Sequence, residues 1–146
     1  MNVIETIRSL LASFPRIAEL TGVVHVDFTD GTVGSCSLSP TGDTLVYEDI
    51  IGNQRRAHTF LFSQEYSAIN DYERVSSSGL LLELAVWLSK QNNIPVQTVV
   101  DEIPHDGEIT KISAANGMLI AVPQENTADA YLYQLTITAE YTIEFS

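Results

Sequence analysis

Cysteine, basic residues and clustered glycine are what this chain has least of, and each shortage closes off a class of function. Cys36 stands alone, so neither an internal disulfide nor a thiolate zinc cluster can form. Its plain role is a small residue in a strand. A nucleophilic role would need a histidine partner, and no local signature supplies one. Lysine and arginine number 7 against 19 acids, for a net charge of −12. Phosphate recognition needs a basic stripe, and only Arg55 and Arg56 are adjacent, so no nucleic acid partner is expected. The dispersed glycines form neither a GxGxxG nor a GxxxxGK phosphate loop. No apolar run reaches the length of a membrane span. The opening MNVIETIRSLLASF carries Glu5 and Arg8 and lacks the basic start and cleavage site of a signal peptide. A soluble protein made in the cytoplasm, with no membrane partner, is the expectation.

What is present suits one domain over residues 1–146, with 45% hydrophobic content to build a core. Ile4, Ile7, Leu11 and Phe14 recur at helical spacing over residues 2–14, widened by Val3 and Leu10. Asn2 is the expected N-cap, and Pro15 ends the helix. GVVHVDF alternates as a strand with one buried face, Asp30-Gly31 is a hairpin signal, and TVGSCSLS is a weaker returning strand. SPTGD, residues 39–43, reads as a turn or loop. TLVYEDIIGNQRRAHTFLFS reads as two strands around a turn at Gly52-Asn53. Residues 68–91 look helical, interrupted near Ser76–Gly79, with Ser67 as a candidate cap and Leu81, Leu84, Ala85 and Leu88 as the stripe, Leu80 and Trp87 beside it. Asn92-Asn93 and Pro95 close that helix.

The last third is β. VQTVVDEIP is a short strand or connection, and GEITKISAANGMLIAVP a strand with a bulge expected at Asn116-Gly117. AYLYQLTITAEYTIEF alternates throughout. Tyr131, Tyr133, Leu135, Ile137, Ala139, Tyr141, Ile143 and Phe145 share one face, and threonines and glutamates fill the other. The expected class is therefore α+β: a mostly antiparallel sheet with helices packed on one face.

Catalytic signatures are missing. There is no HExxH, CxxC or GxSxG. His25, His58 and His105 are far apart, and the first two read as strand residues. HTFLFSQEYS, residues 58–67, gathers a histidine, a glutamate and aromatic rings, but His58, Phe60 and Phe62 alternate as a strand face should. DEIPHDGE, residues 101–108, is the densest set of metal-capable side chains; Pro104 breaks the register of a calcium loop, and a solvated acidic loop is the plainer reading. His105-Asp106-Gly107 has the ending of an acyltransferase motif without its paired histidine. No catalytic, cofactor or metal residue is assigned, no cofactor is expected, and no enzyme is expected.

The order of elements carries a resemblance. A helix ending at SFP precedes VHVDF. A hairpin leads to RRAHTFLFSQEYS. A Ser/Gly-marked helix ends in LAVWLSKQNNIP, and a Tyr/Thr-rich strand ends in EYTIEF. From Ile4 to Phe145 this resembles the small α+β tail terminator and minor capsid proteins of tailed phages and prophages of Gram-positive bacteria. In place of the bulky aromatic pair that often opens the helix in that family stands Ser78-Gly79-Leu80-Leu81. The resemblance implies a structural protein found in the host cytoplasm during assembly and then in the virion tail or neck. It implies a ring of copies, usually a hexamer, on the head-proximal end of the tail tube, with the major tail tube protein and the head connector as partners. Residues 39–56, 101–108 and the terminal strand are the expected contact regions. Two alternatives remain: a neck connector, and a small-molecule enzyme or binding protein with a pocket of Tyr131, Tyr133 and Trp87.

Overall fold

The structure, a computed structural model, describes residues 2–16, 32–33, 36–66, 79–121 and 131–145. The expected strand at 22–28, the Asp30-Gly31 hairpin, His25, Ser67 and residues 68–78 of the expected helix lie outside the described residues.

Helix α1 spans Val3–Ser13. Its start is a reciprocal capping box: the Glu5 N–H donates to the Asn2 side chain at 2.9 Å and the Asn2 N–H to the Glu5 carboxylate at 3.2 Å. Val3, Ile7 and Leu11 are buried with Phe14, which follows the helix. Helix α2 spans Leu80–Ser89 and starts at Gly79, whose φ of 76° halts any helix arriving from upstream. Leu80, Leu84 and Leu88 are its buried stripe, and Leu81 is only partly covered. Leu84 and Leu88 of the expected stripe are buried, and Leu80, expected beside it, joins them in place of the partly covered Leu81 and Ala85. Phe14 meets Trp87 at 5.4 Å between ring centroids, which ties the two helices together.

The strands form a six-stranded sheet in the order β1-β2-β3-β6-β5-β4. They are β1 (Thr32–Val33), β2 (Cys36–Glu48), β3 (Gln54–Tyr66), β4 (Ile94–Val100), β5 (Ile103–Ala121) and β6 (Tyr131–Ile143), and every pairing is antiparallel. The class is α+β, as the alternation implied. β6 lies between β3 and β5, so Phe60 faces Ile137, Phe62 faces Leu135 and Ile112 faces Ala139. These side chains and the helix stripes make one buried cluster. Fully burying each of the two phenylalanines stabilises the fold by roughly 1.5–3 kcal/mol. The opposite face is lined by pairs such as Thr59–Thr138 and Leu61–Thr136, none of them buried.

Two expectations about loops are corrected. Residues 39–43 are strand: β2 runs through Pro40, opposite Phe60, with an irregularity between Pro40 and Gly42. A proline fits because the next described strand on that side, β1, pairs only with Cys36 and Ser37. Residues 103–108 are also strand, the start of β5, and only Asp101 and Glu102 form a turn. Val100 faces Ile103, so this is a two-residue hairpin. The density of acids had hidden its alternation. The bulge expected at Asn116-Gly117 is present, between Ala115 and Met118. β3 continues to Tyr66, so SQEY belongs to the strand and not to a helix start.

Two backbone positions give tests. A Cβ on Gly107 would lie 1.8 Å from the Thr142 carbonyl oxygen, because β5 and the end of β6 approach closely there. Gly107→Ala should lower the free energy of unfolding by roughly 1–3 kcal/mol, read by denaturant titration. Asp101 and Glu102 have φ of 51° and 67°, the conformation in which Asn-Gly is at ease. Asp101→Asn with Glu102→Gly should raise stability by about 1 kcal/mol in the same assay.

Candidate functional site

Strand register brings three separate stretches to one end of the sheet. Gln54 faces Ile143, and Ile109 faces Tyr141. The β2–β3 turn, the β4–β5 turn and residues 144–145 therefore share that end. Asp49 builds the first turn: its carboxylate accepts from the Ile51 and Asn53 N–H groups at 3.1 and 2.9 Å. The segment after β6 is stapled to both hairpins. The Phe145 N–H donates to the Asn53 side-chain oxygen at 2.8 Å, and the Glu144 N–H to the Asp106 carbonyl at 2.8 Å. His105 packs against Phe145 at 4.6 Å, with Nδ1 3.2 Å from the Glu144 carbonyl.

Between these elements runs a groove of about 470 Å³, lined by Tyr47, Asp49, Asn53, Arg55, Asp106, Glu108, Thr142 and Glu144 among others. Asp49, Asp106, Glu108 and Glu144 give it its charge, and Arg55 is the base on its wall. Large apolar side chains stand in solvent at the same end: Ile50, Ile51, Val99, Ile103 and Phe145. Leu82 and Val86 are exposed on α2. Exposed apolar side chains gathered at one end mark a surface suited to contact with another molecule. Among the described residues, no three His, Cys, Asp or Glu side chains come together as metal ligands, and no helix is long and apolar enough to cross a membrane.

The sequence candidates do not converge. His105 is at this sheet end, His58 lies inside β3, and Cys36 begins β2 opposite Gln64. Tyr133 is buried and Trp87 packs on Phe14, so both serve the core, where the small-molecule alternative has them line a pocket with Tyr131. The expected contact regions at 39–56 and 101–108 are not loops but hairpins whose tips meet the end of β6.

One cluster is visible only in the fold. Asp43 accepts from Arg56 Nε at 2.5 Å and from the Tyr141 hydroxyl at 2.6 Å, joining three strands. Burial, then the bond to Asp43, holds the Tyr141 pKa well above its ordinary value. His58, opposite Asp43, stacks on Phe60 at 4.3 Å, and its Nδ1 has no hydrogen-bond partner. Burial is the main cause of its lowered pKa, aided by Arg56 and opposed by Asp43. No spacing in the sequence links residues 43, 56 and 141; only register does.

Both shifts favour the neutral ring in the folded state. For His58 the unfolded chain takes up its proton first, so its contribution is complete above pH ~6.5 and is lost as pH falls below that. For Tyr141 the unfolded chain releases its proton first, so its contribution is complete below pH ~10 and is lost as pH rises beyond that. Stability against pH should show both declines. His58→Gln should flatten the acidic one and Tyr141→Phe the alkaline one, the latter also costing roughly 1–3 kcal/mol at neutral pH through the lost bond.

Compared with known proteins, the chain matches no family model and no curated protein.

Proposed function

We propose that this chain is a structural virion-assembly protein of a tailed phage or prophage: a tail terminator. In this reading copies form a ring, a hexamer, at the head-proximal end of the tail tube. The ring stops tube growth and presents a surface to the head connector. The observation that carries the reading is the sheet end itself, where Ile50, Ile51, Val99, Ile103 and Phe145 are exposed among carboxylates. A surface of that kind gains by contact with other proteins. The order of elements, which resembles that of tail terminators, supplies the setting.

Deleting the gene from its phage and restoring it, with tails viewed by negative-stain electron microscopy, tests the reading. Overlong, headless tails that regain normal length on complementation are expected. Tails of normal length that fail to join heads would assign the chain to the neck. Normal infectious particles would remove the virion reading and turn attention to the groove as a ligand site.

A further inference from the structure

Two apolar patches lie on opposite flanks of the molecule. One is the β2–β3 tip, where Ile50 is fully exposed and Ile51 is 63% exposed. The other is the outer face of α2, with Leu82 70% and Val86 43% exposed. α2 packs over β5, whereas β2 and β3 lie on the other side of β6. Within one chain the two patches cannot cover each other. A helix apolar on its outer as well as its inner face is one that expects to be covered.

The charges around the patches differ in sign. Glu48 and Asp49 precede Ile50. On α2, Leu82, Val86 and Lys90 follow at spacings of four residues, so an exposed cation extends the apolar stripe. Arg56 is bound to Asp43 and Arg16 to Glu83. Lys90 has no ion pair among the described residues. Copies that each carry −12 repel, and the acidic tip cannot meet itself. A contact between copies must therefore join unlike patches.

We propose that the β2–β3 tip of one copy docks on the Leu82–Val86–Lys90 stripe of the next, with Ile50 and Ile51 on the two aliphatic residues and Glu48 facing Lys90. The contact is heterologous, and a contact of that kind repeats around a ring or along a filament. It rests on the ring reading above and names the surfaces that make the ring.

The test uses the full chain. Ile51→Cys and Val86→Cys are introduced together in a Cys36→Ser background, oxidised, and compared with each single cysteine. Disulfide-linked species larger than a dimer are expected only from the pair. In sedimentation velocity, Lys90→Glu and Glu48→Lys should each weaken self-association roughly tenfold, and the two together should restore it. These residues are exposed, so circular dichroism should show unchanged folding. An oxidised pair that yields nothing beyond the single-cysteine products overturns the contact. So does self-association indifferent to both charge reversals. A Lys90→Glu chain that associates normally yet fails to complement tail assembly assigns the stripe to another partner, and also overturns it. The ring itself is judged separately, by tail length in the deletion, so the contact can fail while the ring stands.

Discussion

The fold depends on the two-sided pairing of β6. β3 and β5 meet nowhere else, and the cluster of Phe60, Phe62, Ile109 and Ile112 closes only when Tyr133 to Ile143 lies between them. The helices add the lid: Ile7, Leu11, Leu84 and Leu88 cover that one face, and the Phe14–Trp87 contact holds the helices to each other. The alternation of β6 is therefore a demand from both neighbours at once. Moving its register by one residue would turn threonines into the core and tyrosines into solvent.

Much of this was legible because it is local or strictly periodic. Asn2 announces a helix N-cap, and β6 declares its faces by a two-residue period. Asn116-Gly117 marks a bulge through its turn chemistry. The errors share a cause. At Pro40-Thr41-Gly42 and at Ile103–Glu108, turn-forming or acidic residues sit within strands, and neighbouring strands outweigh their local preference. On α2 the stripe is met at Leu84 and Leu88 but not at Leu81, because nearly all the helix is apolar and periodicity gives little direction there. The Asp43–Arg56–Tyr141 cluster and the meeting of the hairpins with Glu144 and Phe145 were beyond reach of sequence, since both follow from register between distant strands.

The sheet end and the polar cluster do different work. Asp43, Arg56 and Tyr141 satisfy one another across three strands at the uncovered margin of the core. They tie β2, β3 and β6 to one another at that end. Beyond them the carboxylates and isoleucines face solvent. Val99 and Ile103 are held by strands, and Ile50, Ile51 and Phe145 by a turn and a tail hydrogen-bonded to the sheet end.

The central position of β6 also shapes how the protein comes to exist. Of the described strands it is the last along the chain, yet β3, whose Gln64 pairs with Tyr133 and Ser63 with Gln134 across all the intervening chain, waits for it. Until then the β2–β3 hairpin and the β4–β5 hairpin are separate ribbons with open edges and an apolar face apiece. Sequence-distant closure of this kind is slow and leaves edges available to other chains. A nascent copy beside others of its kind is therefore at its most adhesive just before it is complete, and translation speed through the residues ahead of β6 becomes a determinant of yield.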